Sequence, residues 1–221
     1  MEELNTVPRL AAVLLLLLCA AASFAQSGSY VNRAEALKAL SAAEAEQRAE
    51  AVIWIAGHGT QADGEALSRR LSDDNPVVRG LAEEGLWTLW HRSGDKAVDA
   101  LMARGAEQMQ AQRYKDAIAT YTGVIRRKPE FAEGWNRRAT TYFLAGEYRK
   151  SLADCDQVIK RNPLHFGALA GYGQIYFALE RYDKAIEYWR RALEVNPNMA
   201  GVEMNIRGAE QLLAEKRGKM I

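Results

Sequence analysis

The chain has 221 residues, of which 48% are hydrophobic and 26% charged, and a formal net charge of +1. That composition suits one domain or one continuous repeat array, and the near-zero charge removes any electrostatic case for binding nucleic acid or an anionic membrane. Two cysteines build no disulfide scaffold and three separated histidines show no metal-ligand spacing, so neither a metal nor a cofactor is expected.

Residues 10–22 read LAAVLLLLLCAAA, a 13-residue apolar run. A membrane-spanning helix needs about 20 residues, so the run has the length of a signal-peptide hydrophobic region instead. Ser23 and Ala25 are small residues at the −3 and −1 positions of a cleavage site before Gln26. Residues 1–25 therefore read as a cleaved signal peptide, although Glu2 and Glu3 leave the leader short of basic charge. The expectation is a periplasmic or secreted protein that meets the membrane only in transit. Leu18 before Cys19 argues against lipid attachment, and a chain starting at Gln26 keeps only Cys155, so no intramolecular disulfide can form.

Residues 26–97 carry helical hydrophobic periodicity with a spacing of 31. Arg48 and Arg79, Ala51 and Ala82, Ile55 and Leu86, and Leu67 and Val98 are so related. Asn75-Pro76 reads as a turn and a first helical residue, where proline is tolerated. The segment LSDDNPVVRGLAEEGLWTLW resembles a HEAT-type repeat. The resemblance implies that Asp73 and Arg79 belong to an inter-helix hydrogen-bond ladder; Ala42 stands where the preceding unit's aspartate would be. Simple amphipathic hairpins that cap the following array are the plainer alternative. Ser93 is the expected N-terminal signal of the next helix, from about 95 to 111.

From there the register is set by Pro129, Pro163 and Pro197, each 34 residues from the next. They divide the chain into units 98–131, 132–165 and 166–199. Position 4 is Leu101, Trp135 and Leu169; position 8 is Gly105, Ala139 and Gly173; position 17 is Tyr114, Tyr148 and Tyr182; position 20 is Ala117, Ser151 and Ala185; position 24 is Tyr121, Cys155 and Trp189. Each unit reads as two helices separated by a turn and ended by the proline, which drives the preceding residue out of helix. Small residues at positions 8 and 20 let the two helices approach, and large residues at positions 4 and 24 fill between hairpins. This pattern resembles the tetratricopeptide repeat family over residues 98–199. Gln108, at position 11 of the first unit, departs from the aromatic usual there. Residues 200–221 form a cap helix and tail, with Val202, Ile206, Ala209 and Leu213 on one face. The expected fold is all-α: a right-handed α-solenoid of about two HEAT-like hairpins, three tetratricopeptide units and a C-terminal cap.

No catalytic constellation accompanies this pattern. His58 falls in a GHGT loop without a nucleophile or carboxylate partner, His91 ends a helix, and His165 follows Pro163 in a turn. Cys155 occupies a repeat core position and reads as a buried thiol. Trp87, Trp90, Trp135 and Trp189 read as core rather than as a ligand cage. The expectation is a protein that is not an enzyme.

What the family resemblance implies is surface recognition. The first helix of each tetratricopeptide unit lines a concave groove, which here assigns Asp99, Met102, Ala106, Met109 and Gln110; Glu133, Asn136, Thr140, Phe143 and Leu144; and Gly167, Ala170, Gln174, Phe177 and Ala178. The candidate peptide-binding residues are Met102, Met109, Asn136, Arg137, Thr140, Phe143, Gln174 and Phe177, with Arg137 bordering the face. Some family members hold acidic carboxyl-terminal tails through lysine, asparagine and arginine. That set is not reproduced, because Met102 and Ala106 stand in the first unit and Gly167 and Gly171 in the third. The expected role is a scaffold of a bacterial-type cell envelope that binds a protein or peptide segment. A low-selectivity assembly factor or holdase for envelope proteins is the alternative.

Overall fold

The computed structural model describes residues 30–218; the leader, its cleavage site and Cys19 lie outside them. Eleven α-helices and no strands make up the described residues: α1 Arg33–Ala39, α2 Ala45–His58, α3 Gly64–Ser68, α4 Pro76–His91, α5 Lys96–Gln110, α6 Tyr114–Arg127, α7 Ala132–Leu144, α8 Tyr148–Arg161, α9 Phe166–Ala178, α10 Tyr182–Val195 and α11 Ala200–Gly218.

Residues 96–195 are three antiparallel hairpins stacked in order, α5–α6, α7–α8 and α9–α10. Each first helix ends in the same way. Gln112, Gly146 and Glu180, again 34 residues apart, adopt φ of 55°, 77° and 56°. The next backbone N–H then reaches back five residues, as in Arg113 to Gln108, Glu147 to Tyr142 and Arg181 to Tyr176, each at 2.8 Å. This left-handed cap satisfies carbonyls the helix would otherwise orphan and reverses the chain into the second helix.

Inside each hairpin, positions 8 and 24 share one volume. A Cβ on Gly105 would lie 2.5 Å from the Tyr121 ring, and one on Gly173 would lie 2.3 Å from the Trp189 indole. In the middle hairpin both partners are modest, Ala139 and Cys155. Gln108 is buried and accepts a hydrogen bond from the Thr120 hydroxyl at 2.7 Å, which accounts for a polar residue where an aromatic was expected. The cap helix α11 buries Val202, Ile206 and Ala209 against Ala185, Ile186 and Trp189 of α10.

Before the array, α2 and α4 pack around Val52, Ile55, Leu67, Leu86 and Leu89. Asn75 caps α4 by accepting from the Val77 N–H at 2.8 Å, with Pro76 at the first helical position. Arg48 and Arg79 repeat one another: each donates to the carbonyls five and six residues before it, Ala42 and Ala43 for Arg48 and Asp73 and Asp74 for Arg79. The buried Asp73 carboxylate turns not to Arg79 but to Arg48, which meets it through two bonds of 2.9 and 2.7 Å. Burial would raise the Asp73 pKa, and the Arg48 guanidinium reverses that and holds it far below the carboxylate range. The N-cap of α5 is Asp95, accepting from Ala97 and Val98, rather than the expected Ser93.

The amino-terminal helices lie along one edge of the array, where the first helices of the units begin. Early in α4, Arg79 donates to the Asn198 side chain in the α10–α11 connection, and Asn198 donates in turn to the Leu71 carbonyl. Further along, Trp87 and Trp90 pack on His165 and Phe166 at the start of α9, the Trp90 and His165 rings stacked 4.4 Å apart. At its end, His91 reaches Glu133 and Arg137 at the start of α7. Thus α4 runs from the cap back to the middle unit, and the amino-terminal core takes in Phe166 of the array.

Candidate functional site

The face assigned to the groove is built by α7 and α9, with α8 behind them. Between these helices lies a cavity of about 190 Å³. Asn136, Thr140 and Phe143 come from α7 at spacings of four and three, one helical face. Gly167, Gly171 and Gln174 come from α9 at the same spacing, and Ala139, Ser151 and Cys155 form the floor. The cavity opens where the middle hairpin lacks a large residue at position 24. In the flanking hairpins Tyr121 and Trp189 fill that volume.

Four of the eight expected residues therefore meet at one place: Asn136, Thr140, Phe143 and Gln174. The others do not. Met102 and Met109 pack against the core of the first hairpin, where the Met109 sulfur accepts from the Tyr121 hydroxyl at 3.4 Å. Phe177 lies against Tyr182 and Trp189 in the next layer. Arg137 does not line the cavity and donates through Nε to Glu133 at 2.6 Å, its Nη2 meeting His91.

Glu133, assigned to the groove wall by its position in the unit, is fully buried instead. Its Oε1 takes Arg137, with His91 at 3.2 Å; its Oε2 takes Asn136 Nδ2 at 2.9 Å and His165 Nε2 at 3.2 Å. His165 Nδ1 accepts from the Ala168 N–H, so its Nε2 carries the proton and donates to the carboxylate. Burial alone would raise the Glu133 pKa. The interaction with His165, its hydrogen bond first, and then the Arg137 guanidinium outweigh it and hold the pKa below its ordinary value. His165 and His91 were legible only as a turn residue and a helix end, because what joins them is the approach of α4 to the array.

The site offers little reactive chemistry. Burial, then the neighbouring Asp154 and Asp156, pushes the Cys155 thiol up to about 12, so it stays protonated and poorly nucleophilic. What it does offer is an apolar pocket with amide groups on opposite walls and no cation pointing in. Trp87 backs it: a Cβ on Gly167 would meet the Trp87 ring at 2.5 Å, so glycine is what lets α4 and α9 close up there.

Sequence families described as tetratricopeptide repeats match residues 102–157 and 169–199. The chain is 35% identical over 108 residues to a TPR repeat-containing protein of Rhizobium etli, covering 49% of this chain and 53% of that one. It is 31% identical over 124 residues to Hsp70-Hsp90 organizing protein 1 of Glycine max, covering 56% and 22%. The match thus spans about half the length of the first relative and about a fifth of the second. Among solved structures, the first TPR of Spaghetti (RPAP3) bound to the HSP90 peptide SRMEEVD superposes with a TM-score of 0.51 and 26% identity, covering 53% of this chain and 93% of that one. With the 34-residue register and the stacked hairpins, these matches identify residues 102–157 and 169–199 as tetratricopeptide repeats.

Proposed function

We propose that this chain is a non-enzymatic protein–protein interaction scaffold that holds an extended, uncharged polypeptide segment between α7 and α9. The observation that carries this reading is the cavity where Asn136, Thr140, Phe143 and Gln174 converge. Apolar walls with a few placed polar groups are the usual make-up of a recognition pocket. An acidic tail such as the one bound by RPAP3 is not the expected ligand, since Gly167 and Gly171 bring no charge and Arg137 is engaged by Glu133.

An array of 12-residue peptides followed by fluorescence anisotropy tests this, with SRMEEVD as the acidic comparator. A Cβ on Gly171 would meet nothing within 4 Å, so Gly171→Leu fills the pocket without disturbing the helices. Neutral apolar peptides are expected to bind, and Gly171→Leu and the double variant Asn136→Ala/Phe143→Ala to lose them while staying folded. Tighter binding of SRMEEVD, or binding unaffected by Gly171→Leu, overturns the reading.

Exposed Leu144, Leu179 and Met204 favour the second reading, a low-selectivity holdase. Suppression of the aggregation of an unrelated unfolded client by wild type and Gly171→Leu alike would select it. We also propose export to a bacterial-type envelope, supported by the apolar run 10–22 and the Ser23/Ala25 pattern. Amino-terminal sequencing of the native protein, with Gln26 first, is the expected result.

A further inference from the structure

We propose that Glu133 is a positioning residue of the groove: it fixes the Asn136 side chain so that its oxygen is turned from the carboxylate and offered to the cavity, as an acceptor for a backbone N–H of the bound polypeptide. The inference rests on the peptide-binding reading above.

An amide is ambiguous to a ligand because either end can face it. Here the ambiguity is removed by chemistry. Asn136 lies 2.9 Å from Glu133 Oε2, and a carboxylate can only accept, so the amide nitrogen faces the carboxylate. The oxygen is the end left over, and it makes no hydrogen bond among the described residues. Asn136 lines the cavity and Glu133 does not. The carboxylate is itself over-determined: fully buried, it is held by Arg137 from its own helix and His165 from the start of α9, and Arg137 is in turn met by His91 from the end of α4. Three separate elements thus decide which way one groove amide points. Gln174, across the cavity, is exposed and has no such anchor among the described residues, so it can turn to donate or accept. The cavity therefore reads an extended backbone with a fixed acceptor on α7 and an adaptable group on α9. Because α4 supports both partners of the carboxylate, His91 against Arg137 and Trp90 stacked on His165, the amino-terminal helices take part in binding without touching the peptide.

Two measurements test this. In uniformly 15N-labelled wild type without ligand, the Asn136 side-chain NH2 should exchange with water at least about tenfold more slowly than that of Gln174, and Glu133→Gln should shrink the difference. Second, the tightest array peptide is resynthesised with single amide-to-ester replacements, each deleting one N–H donor. One position should cost wild type about tenfold in affinity, the worth of one neutral hydrogen bond, and cost Asn136→Leu nothing. Neither the wild-type exchange rates nor the Asn136→Leu comparison requires Glu133→Gln to fold. Equal exchange of the two amides in wild type, or an ester penalty that survives in Asn136→Leu, overturns the proposal. If no array peptide binds, the peptide-binding reading fails by itself, and the exchange rates still decide how Glu133 holds Asn136.

Discussion

Trp189 occupies the space that a side chain on residue 173 would need. The indole packs against Gly173, its Cδ1 and Nε1 2.3 Å from where a Cβ would stand, and donates through Nε1 to the Ala170 carbonyl at 3.1 Å. The ring is rigid and tied at its polar end, so it cannot yield. Gly173→Ala is expected to destabilise the array, and Gly173→Leu to cost about 1–3 kcal/mol or more through overpacking. Urea unfolding followed by tryptophan fluorescence measures both. A Gly173→Ala midpoint equal to wild type would show that the indole moves freely.

The three turns at 34-residue spacing make a graded series. Gly146 sits at φ 77° at no steric cost, while Gln112 and Glu180 hold similar angles with a Cβ. Gly146→Ala should destabilise by about 1 kcal/mol, and Glu180→Gly should stabilise by about 0.5–1 kcal/mol, the reverse of glycine's usual effect. Thermal melts of the two single variants check the opposite signs.

Glu133 links stability to acid. Its folded pKa is depressed, so its contribution is complete above the ordinary carboxylate range and is lost as the pH falls through the folded value. Asp73, held low by Arg48, acts in the same sense. Melting temperature should therefore fall steeply below about pH 4, and Glu133→Gln should flatten part of that fall while lowering stability at pH 7. A variant whose acid limb parallels wild type would remove Glu133 from the account.

Positions 8 and 24 of the middle hairpin should couple. Cys155→Tyr alone crowds Ala139; combined with Ala139→Gly it recreates the pairing seen between Gly105 and Tyr121. A double-mutant cycle is expected to give a coupling of about 0.5–3 kcal/mol in favour of the pair. The double variant should also fill the floor of the cavity and weaken peptide binding. Strict additivity would mean that the two positions do not share one volume.

The repeat geometry was legible because it is periodic. Pro129, Pro163 and Pro197 set the register, small residues at positions 8 and 20 marked close helix pairs, and Val202, Ile206 and Ala209 marked the buried face of the cap, whereas the packing of position 24 onto position 8 within a hairpin, rather than between hairpins, came only with the structure. Asn136, Thr140, Phe143 and Gln174 follow from that register and do meet at the cavity. The Glu133 network was not legible. A glutamate at a groove position reads as solvated, and only contacts across 32 and 42 residues, to His165 and His91, give it partners. Arg137 does not line the cavity for the same reason: its side chain pairs with a carboxylate one turn away on its own helix. The course of α4 along the array depends on Arg79 meeting Asn198, 119 residues on, which no local pattern encodes.

A bare stack of hairpins can flex like a spring, because each unit touches only its neighbours. Here one helix fastens to the middle unit, the third unit and the cap at once, through His91, Trp87 and Arg79. It acts as a splint: bending the superhelix would have to break tryptophan packing and a buried carboxylate network together. The inner wall is thus set before any partner arrives, so capture forfeits little conformational freedom on the protein's side.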